Sequence, residues 1–484
     1  MVITSEEMEI LDINCEYYGL SRLQLMENAG KSVADEIAKR FGENIKTIGI
    51  FAGLGNNGGD GFVTARFLLN YDYDVEVILL GRSKLIKSDI ARKNFEILEK
   101  CNCKILEIKD SSSLKPKDYD VIVDGILGTG IKGELREPIS TAVDVINSSN
   151  AFKVAIDVPT GLDPDTGSFS KAVKANLTVT FHKPKPGLLR ASEIVGELIV
   201  KDIGIPKFFE KLTGPGDVKK AYKRDPKGHK GSHGRILVIG GGPYTGAPVL
   251  ASLAAYSAGA DLVITLVPET ISKVVASFSP NLIVKPLPGD SIKPESVEKF
   301  EEIIKRSHVV VMGMGTERND ESLAASEEIL KICKKAVIDA GMMLSSIPEG
   351  VECIMTPHKT EFKTVFKMDP NEENVKKAAR KSNAIVLLKS YEDLISDGVK
   401  LKINKTGNAG MTVGGTGDVL AGICGAFLCN SNAFKAACAA AFINGLAGDL
   451  CYKNKGYNYT ATDLIDKIPE AINYSLTFPK TSRD

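Results

Sequence analysis

Two glycine-rich stretches hold the residues best suited to chemistry. The first reads Gly53-Leu54-Gly55-Asn56-Asn57-Gly58-Gly59-Asp60-Gly61. It lies between a short apolar strand at 46–51 and a segment of helical spacing at 62–69. Its glycines leave backbone amides uncovered, and such a loop at a helix start suits a phosphate or diphosphate. It is neither the Gly-x-Gly-x-x-Gly dinucleotide fingerprint nor a Walker loop. A plain strand-to-helix turn is the alternative, and the density of Asn, Gly and Asp weighs against it. Two further polar segments follow strand-like runs: Asp124-Gly125-Ile126-Leu127-Gly128-Thr129-Gly130 and Asp157-Val158-Pro159-Thr160-Gly161-Leu162-Asp163. Ligands in open α/β sheets bind beyond the carboxyl ends of strands, so the three loops can converge. Carboxylate, amide and hydroxyl oxygens together suit a hard cation. Either Asp alone could merely cap its own loop; the set favours a site.

The second stretch, Thr406-Gly407-Asn408-Ala409-Gly410-Met411-Thr412-Val413-Gly414-Gly415-Thr416-Gly417-Asp418, runs into an apolar helix. Glycine amides at a helix start form an anion hole, to which the helix dipole adds. Asp418 alone would read as an ordinary N-cap. With the preceding Gly-Gly-Thr-Gly it resembles the active-site loop of ribokinase-like kinases. There the amides stabilise a transferring phosphoryl group and the Asp accepts the proton of the attacking hydroxyl.

The elements around these stretches alternate. Strand-like runs at 46–51, 75–80, 103–108, 121–124, 154–157 and 177–181 are separated by helical spacing, and residues 6–40 read as helical with a break near Tyr18-Gly19. The second half repeats the pattern, with strand-like runs at 235–239, 261–266, 309–312, 336–339, 353–355 and 385–389. Its end, 419–428 and 434–450, reads as buried helices rich in Ala. This is an α/β pattern with parallel sheets covered on both faces. A length of 484 residues demands at least two cores. The polar, Gly- and Pro-containing segment 207–230 is the expected junction, with the division near residues 214–217.

With 61 basic and 61 acidic residues the charge balances, so neither nucleic acid nor an anionic membrane is expected as a partner. No apolar run is expected to span a bilayer. The N-terminal residues lack the basic-then-apolar pattern of a signal peptide, and a cytoplasmic location is expected. Nine scattered Cys without a Cys-x-x-Cys pair read as reduced thiols, and five His without ligand spacing argue against zinc.

Taken in order, Leu25-Met26-Glu27-Asn28-Ala29-Gly30, the 55–61 loop, Val123-Asp124 with Gly128-Thr129-Gly130, and Asp157-Val158-Pro159-Thr160-Gly161 resemble the NAD(P)H-hydrate epimerase family. The resemblance implies a Rossmann-like three-layer sandwich over residues 1–213 that inverts C6 of a hydrated nicotinamide ring. It implies a potassium ion held by Asn57, Asp124 and Thr160. It further implies that Asn56, Asn57, Gly58, Gly59 and Asp60, with Gly128, Thr129, Gly130, Ile131, Lys132, Gly133 and Glu134, line the dinucleotide. Asp157 would contact the ring and is the candidate for proton transfer. The family often has Ser where Thr160 stands; both supply an oxygen.

The motifs of the second half, Gly228-His229-Lys230-Gly231-Ser232-His233-Gly234-Arg235, residues 240–248, Gly313-Met314-Gly315-Thr316, Thr356-Pro357-His358 with Glu361, and the loop ending at Asp418, resemble the ADP/ATP-dependent NAD(P)H-hydrate dehydratase family. This implies a ribokinase-like domain over 218–480, which phosphorylates the hydrate hydroxyl, expels phosphate and restores the ring double bond. Ala247, Gly315, His358, Lys359, Thr360, Glu361, Phe362, Lys363, Thr364 and Asp418 would meet the hydrated cofactor, with Asp418 catalytic. Lys389, Ser390, Tyr391, Glu392 and Asp393, with Asn408, Ala409, Gly410, Met411, Thr412, Val413, Gly414, Gly415, Thr416 and Gly417, would meet ADP or ATP carrying magnesium. Two departures stand out. The family commonly has His-Pro-Gly-Glu where this chain has His358-Lys359-Thr360-Glu361, and Lys-Gly-x-x-Thr where it has Lys389-Ser390-Tyr391-Glu392-Asp393. The second puts the contacts of Ser390 and Asp393 in doubt.

The combined expectation is a repair enzyme for hydrated NADH and NADPH. One half would equilibrate the R and S hydrates; the other would dehydrate the S form, giving AMP or ADP and phosphate. The rival is a ribokinase-like small-molecule hydroxyl kinase carrying a non-catalytic dinucleotide-binding domain. The oligomeric state stays open; the apolar C-terminal helices permit a homo-oligomer.

Overall fold

The computed structural model describes residues 2–130 and 133–479. The chain forms two compact units, Met1–Phe209 and Glu210–Phe478.

In the first unit seven strands form one sheet: β1 (Thr47–Ala52), β2 (Asp74–Leu80), β3 (Lys104–Ile108), β4 (Val121–Gly125), β5 (Phe152–Ile156), β6 (Leu177–Phe181) and β7 (Glu197–Lys201). The order is β3-β2-β1-β4-β5-β6-β7, and every neighbouring pair is parallel. Strands β1, β4 and β6 are buried on both faces, as helices above and below require. Ile48 and Ile50 pack with Val33, Ile37, Phe62 and Leu68 on one side, while Phe51 packs with Ala142, Val143 and Ile146 on the other. Helices Ser5–Tyr17 and Arg22–Phe41 are divided at the expected break near Tyr18-Gly19, and each opens with a capping box, Thr4/Glu7 and Ser21/Gln24. Strand β7 was not expected; it is a half-exposed edge strand with charged residues at both ends. The chain winds one way from β1 and the other way from β4, so the crevice at the topological switch point opens between them.

The second unit repeats this design. Its strands are β8 (Arg235–Ile239), β9 (Leu262–Pro268), β10 (Ile283–Leu287), β11 (Val309–Met312), β12 (Lys335–Ile338), β13 (Glu352–Met355), β14 (Ile385–Leu388), β15 (Asp393–Ser396) and β16 (Leu401–Asn404). They are ordered β10-β9-β8-β11-β12-β13-β14-β15-β16, parallel as far as β14 and antiparallel through the last two pairs. The switch point lies between β8 and β11. Strands β10, β15 and β16 went unread in the sequence. The first carries Pro286 at a half-exposed edge, and the other two are only four residues long.

Helix Ala433–Lys455 corrects one expectation: by length and composition it is apolar enough to cross a membrane. It is a core helix, with 78% of its apolar window buried. Its small residues let neighbours approach: a Cβ on Gly445 would lie 2.3 Å from the Thr406 hydroxyl.

Candidate active sites

In the first unit, the loops after β1 and β4 touch backbone to backbone. A Cβ on Gly53 would lie 2.0 Å from the carbonyl of Ile126, and one on Gly58 would lie 2.0 Å from that of Gly53. Only glycine fits either position, and the contact carries Asn57 to the β4 loop: a Cβ on Gly128 would meet the Asn57 side-chain oxygen at 3.3 Å. Helix Asn56–Asn70 begins at Gly55, which has no side chain to cap it, so first-turn amides remain open.

Asp124 and Thr160 are fully buried together. Thr160 donates to the Asp124 carboxylate twice, from its hydroxyl at 2.6 Å and its amide at 2.8 Å. The amide of Ile126 donates at 3.2 Å. Burial pushes the Asp124 carboxyl up to about 6 against these bonds. The Asn57 side-chain nitrogen is buried without a hydrogen-bond partner. Turned about its axis, that amide would place an oxygen there, and a buried oxygen facing no donor is what a hard cation takes. Asn57, Asp124 and Thr160 therefore fit a cation.

Asp157 sits just past β5 with φ +61°, uncommon for a non-glycine residue. Its carboxylate accepts from the Thr180 hydroxyl at 2.9 Å and from the Lys185 ammonium in a short contact. Lys185 is 1% exposed and also donates to the Thr180 hydroxyl at 3.1 Å and the Phe181 carbonyl at 3.4 Å. Sequence reading missed Lys185, because a lysine in Lys183-Pro184-Lys185-Pro186 looks solvated. Asp60 also belongs to this cluster. Burial, then Asp157, then Asp12 raise its carboxyl well above the usual range, and Lys185 opposes them.

The remaining residues expected here divide. Asn56 is exposed and Gly58 buried in the first turn, while Gly128 and Thr129 are half-buried. Gly130, Gly133 and Glu134 are exposed, and Ile131 and Lys132 lie outside the described residues. Gly59 faces the helix behind the loop, where a Cβ would meet Met26 at 2.6 Å, so its α-carbon serves packing.

In the second unit the loop ends in helix Thr416–Leu428, with Gly415 at φ +97° in the uncapped N-cap position. The Thr416 hydroxyl closes the loop on the Met411 carbonyl at 2.9 Å. Beneath it a Cβ on Gly417 would lie 3.1 Å from the Lys389 ammonium. That ammonium donates to Asp339 at 2.8 Å, and Asp339 also accepts from the Thr356 hydroxyl at 2.7 Å. Burial, then Asp339, push the Asp418 carboxyl up to about 7; Lys389 opposes the rise and Glu361 adds to it. Asp339, read only as a strand end, was the residue missed here.

Backbone amides 407 and 410 and residues Asn408 and Tyr459 form a clasp behind the loop. Asp449 accepts from the Gly407 amide at 3.1 Å and the Asn408 amide group at 3.0 Å, and Tyr459 donates to Asn408 at 2.8 Å. Ala409, Gly410, Met411 and Thr412 form a short 3-10 turn capped by Asn408, with Val413 and exposed Gly414 completing the approach. Gly315, at φ +72°, abuts Ala247, 3.0 Å from a notional Cβ.

At 358–364 helical geometry divides the expected contacts. His358 caps helix Lys359–Phe366, and its amide donates to Glu361 at 2.8 Å. Lys359, Thr360, Lys363 and Thr364 are exposed. Phe362 is fully buried and stacks near Phe366 at 5.0 Å, so it belongs to the core and not to the substrate surface. Phe362→Ala is expected to destabilise this unit by about 3–5 kcal/mol, seen as a lower denaturant midpoint. In the 389–393 run, Asp393 also turns inward. It accepts from the Ser390 amide at 3.0 Å and from Asn404 at 3.1 Å, and burial pushes it up to about 6. Glu392 pairs with Lys405 at 3.0 Å, leaving Tyr391, 93% exposed, as the open side chain of the run.

Two family models match the chain: YjeF-related protein N-terminus over residues 22–187 and NAD(P)H-hydrate dehydratase over 236–470. The chain is 59% identical to the bifunctional NAD(P)H-hydrate repair enzyme Nnr of Archaeoglobus fulgidus over 470 residues, covering 97% of this chain and 98% of that protein. The chain belongs to the bifunctional NAD(P)H-hydrate repair enzyme family. A second member, from Methanothermobacter thermautotrophicus, is 43% identical over 96% of this chain and 94% of its own length. A solved ADP/ATP-dependent NAD(P)H-hydrate dehydratase from Bacillus subtilis is similar at a TM-score of 0.48 and 21% identity, covering 54% of this chain and 96% of that one. Among the described residues, no group of three or more His, Cys, Asp or Glu is placed to hold a metal.

Proposed function

We propose that residues 1–213 interconvert the R and S hydrates of NADH and NADPH at C6, and that residues 218–480 dehydrate the S hydrate with ADP or ATP. The observation that carries this reading is the pairing, in one family member, of a buried Asp157–Lys185 site with an Asp418 site at a glycine-rich helix start.

In the first unit the open amides of the 55–58 turn hold the diphosphate, and Asp157 moves a proton at the C6 hydroxyl while the ring opens and closes. Asn57, Asp124 and Thr160 would hold potassium. When bound it supplies a fixed positive charge that offsets the Asp124 carboxylate and attracts substrate oxygens.

In the second unit Asp418 takes the proton of the C6 hydroxyl as its oxygen attacks the terminal phosphoryl group. The glycine amides of 414–417 steady that group. The transfer leaves AMP or ADP; phosphate then departs from C6 and carries away the proton lost from C5, which restores the double bond. One ammonium, Lys389, faces Asp339, Glu361 and Asp418, so the site has surplus negative charge even before a nucleotide arrives. Magnesium carried on the nucleotide offsets that charge. Tyr391 is free to stack on the base. Both sites suit small-molecule ligands, in keeping with the cytoplasmic reading; the apolar C-terminal helices are buried within their own unit.

The epimerase half is tested without nucleotide, by following R hydrate to S hydrate chromatographically in potassium and in sodium salts. The rate is expected to rise and saturate with potassium, and Asp124→Asn is expected to abolish that response. A rate indifferent to potassium in the unaltered chain would remove the cation from the site.

A further inference from the structure

The helix Ser5–Tyr17 is fastened beside the first site at two points. The Ile3 amide donates to the Pro184 carbonyl at 3.1 Å, and the Ser5 amide donates to Asp165 at 2.9 Å. This lays the helix against the 183–186 turn that carries Lys185. Asp12 on that helix and Asp60 lie within reach of the charges of Lys185 and Asp157, while Asp157 alone is bonded to the ammonium. Lys185 is sealed from solvent, whereas Asp12, Asp60 and Asp157 each keep partial exposure. Opening a hemiaminal needs two proton movements at once, one off the hydroxyl and one onto the nitrogen. Asp157, bonded to the ammonium, is placed as an acceptor, and it has no second proton to give.

We propose that Asp12 is the second proton-carrying group of the epimerase site, set against Asp157 with Lys185 as the cation that both face. The proposal rests on the epimerase reading above. Asp157 takes the proton of the C6 hydroxyl; the C6–N1 bond breaks as the carbonyl forms; N1 takes the proton of the Asp12 carboxyl. Rotation about C5–C6 presents the other face of the carbonyl. N1 then attacks it, Asp12 recovers its proton from N1, and Asp157 returns its own to the oxygen. Nothing is oxidised, and both groups end as they began.

Burial first, then Asp157 and Glu9, push the Asp12 carboxyl up, while Lys185 and Arg22 pull it down, to about 7 overall. A buried carboxyl raised in this way can hold a proton to give near neutral pH. Asp12 must carry a proton to give one, so the epimerisation rate is expected to fall as pH rises through about 7.

The test is the pH profile of R-to-S conversion by the full chain with potassium and no nucleotide. Asp12→Asn is expected to lower kcat by about 100-fold or more, with KM little changed and the alkaline fall gone. Asp12→Glu should retain activity and the fall. Lys185→Met removes a charge that pulls the Asp12 carboxyl down, so any residual activity should fall at a higher pH. An Asp12→Asn chain with the unaltered rate, or with the alkaline fall intact, overturns the proposal, as does an Asp12→Glu chain that is active without the fall. An unaltered chain that converts no hydrate at any pH sinks the epimerase reading beneath it.

Discussion

Replacing Asp418 by Asn is expected to lower nucleotide-dependent dehydration by about 10²- to 10⁴-fold, the usual contribution of a positioned general base. Asn keeps the size of the side chain and cannot take the hydroxyl proton. The loop should survive, because its geometry is fixed elsewhere, by Thr416 on Met411 and by the Asp449–Asn408–Tyr459 clasp. The unaltered enzyme should show the cause in its pH dependence. Burial and the neighbouring Asp339 hold the Asp418 carboxyl near 7. Below that pH the group is protonated and cannot act as a base, so the dehydration rate should decline as pH falls through about 7. In Asp418→Asn the residual rate should lack this decline. Initial rates over a pH series with saturating nucleotide would show both effects.

Lys389→Met is expected to damage both stability and activity. Asp339 is 3% exposed and would lose its ammonium partner, keeping only the Thr356 hydroxyl. Breaking a buried pair from one side typically costs about 3–5 kcal/mol, and partial exposure of Lys389 puts this pair near the lower end, about 3 kcal/mol. The same ammonium lies under Gly417 and faces Asp418 and Glu361, so its loss should also raise the Asp418 carboxyl further. The expected outcome is a lower unfolding midpoint, dehydration lowered by about 100-fold or more, and a pH decline displaced to higher pH. A variant as active as the unaltered chain would show that Lys389 serves the core alone. Asp339→Asn separates the roles: it leaves the ammonium in place and should cost less activity than Lys389→Met.

The two doubly wound sheets were legible because most of their central strands are short apolar runs, and β1, β5, β8, β11 and β12 are each followed directly by glycine or Asp. Those runs and their helical separators state the parallel arrangement directly. Edge elements were not legible. Strand β7 and the β15–β16 pair are short or half-polar, and their pairing is decided by the sheet they join. The reacting carboxylates stood out because Asp157 follows a strand and Asp418 follows a glycine-rich loop at a helix start. Their partners did not. Asp12 lies in a helix with no glycine-rich motif beside it, Lys185 in a charged run and Asp339 at a strand end; the ion pairs Lys185–Asp157 and Lys389–Asp339 join segments well separated along the chain. Phe362 erred the other way. Carrying the whole 358–364 run into the site ignored the helical turn that points every third or fourth side chain into the core.

The most direct test of the account is to give the full chain a mixture of R and S NADH hydrates with ADP, with ATP and with neither. Appearance of the reduced nicotinamide absorbance is followed to completion, faster than the hydrates interconvert unaided. The account predicts complete recovery of NADH with at least one nucleotide and none without. Recovery that stops at the S fraction would contradict the epimerase half, and no recovery with either nucleotide would contradict the dehydratase half.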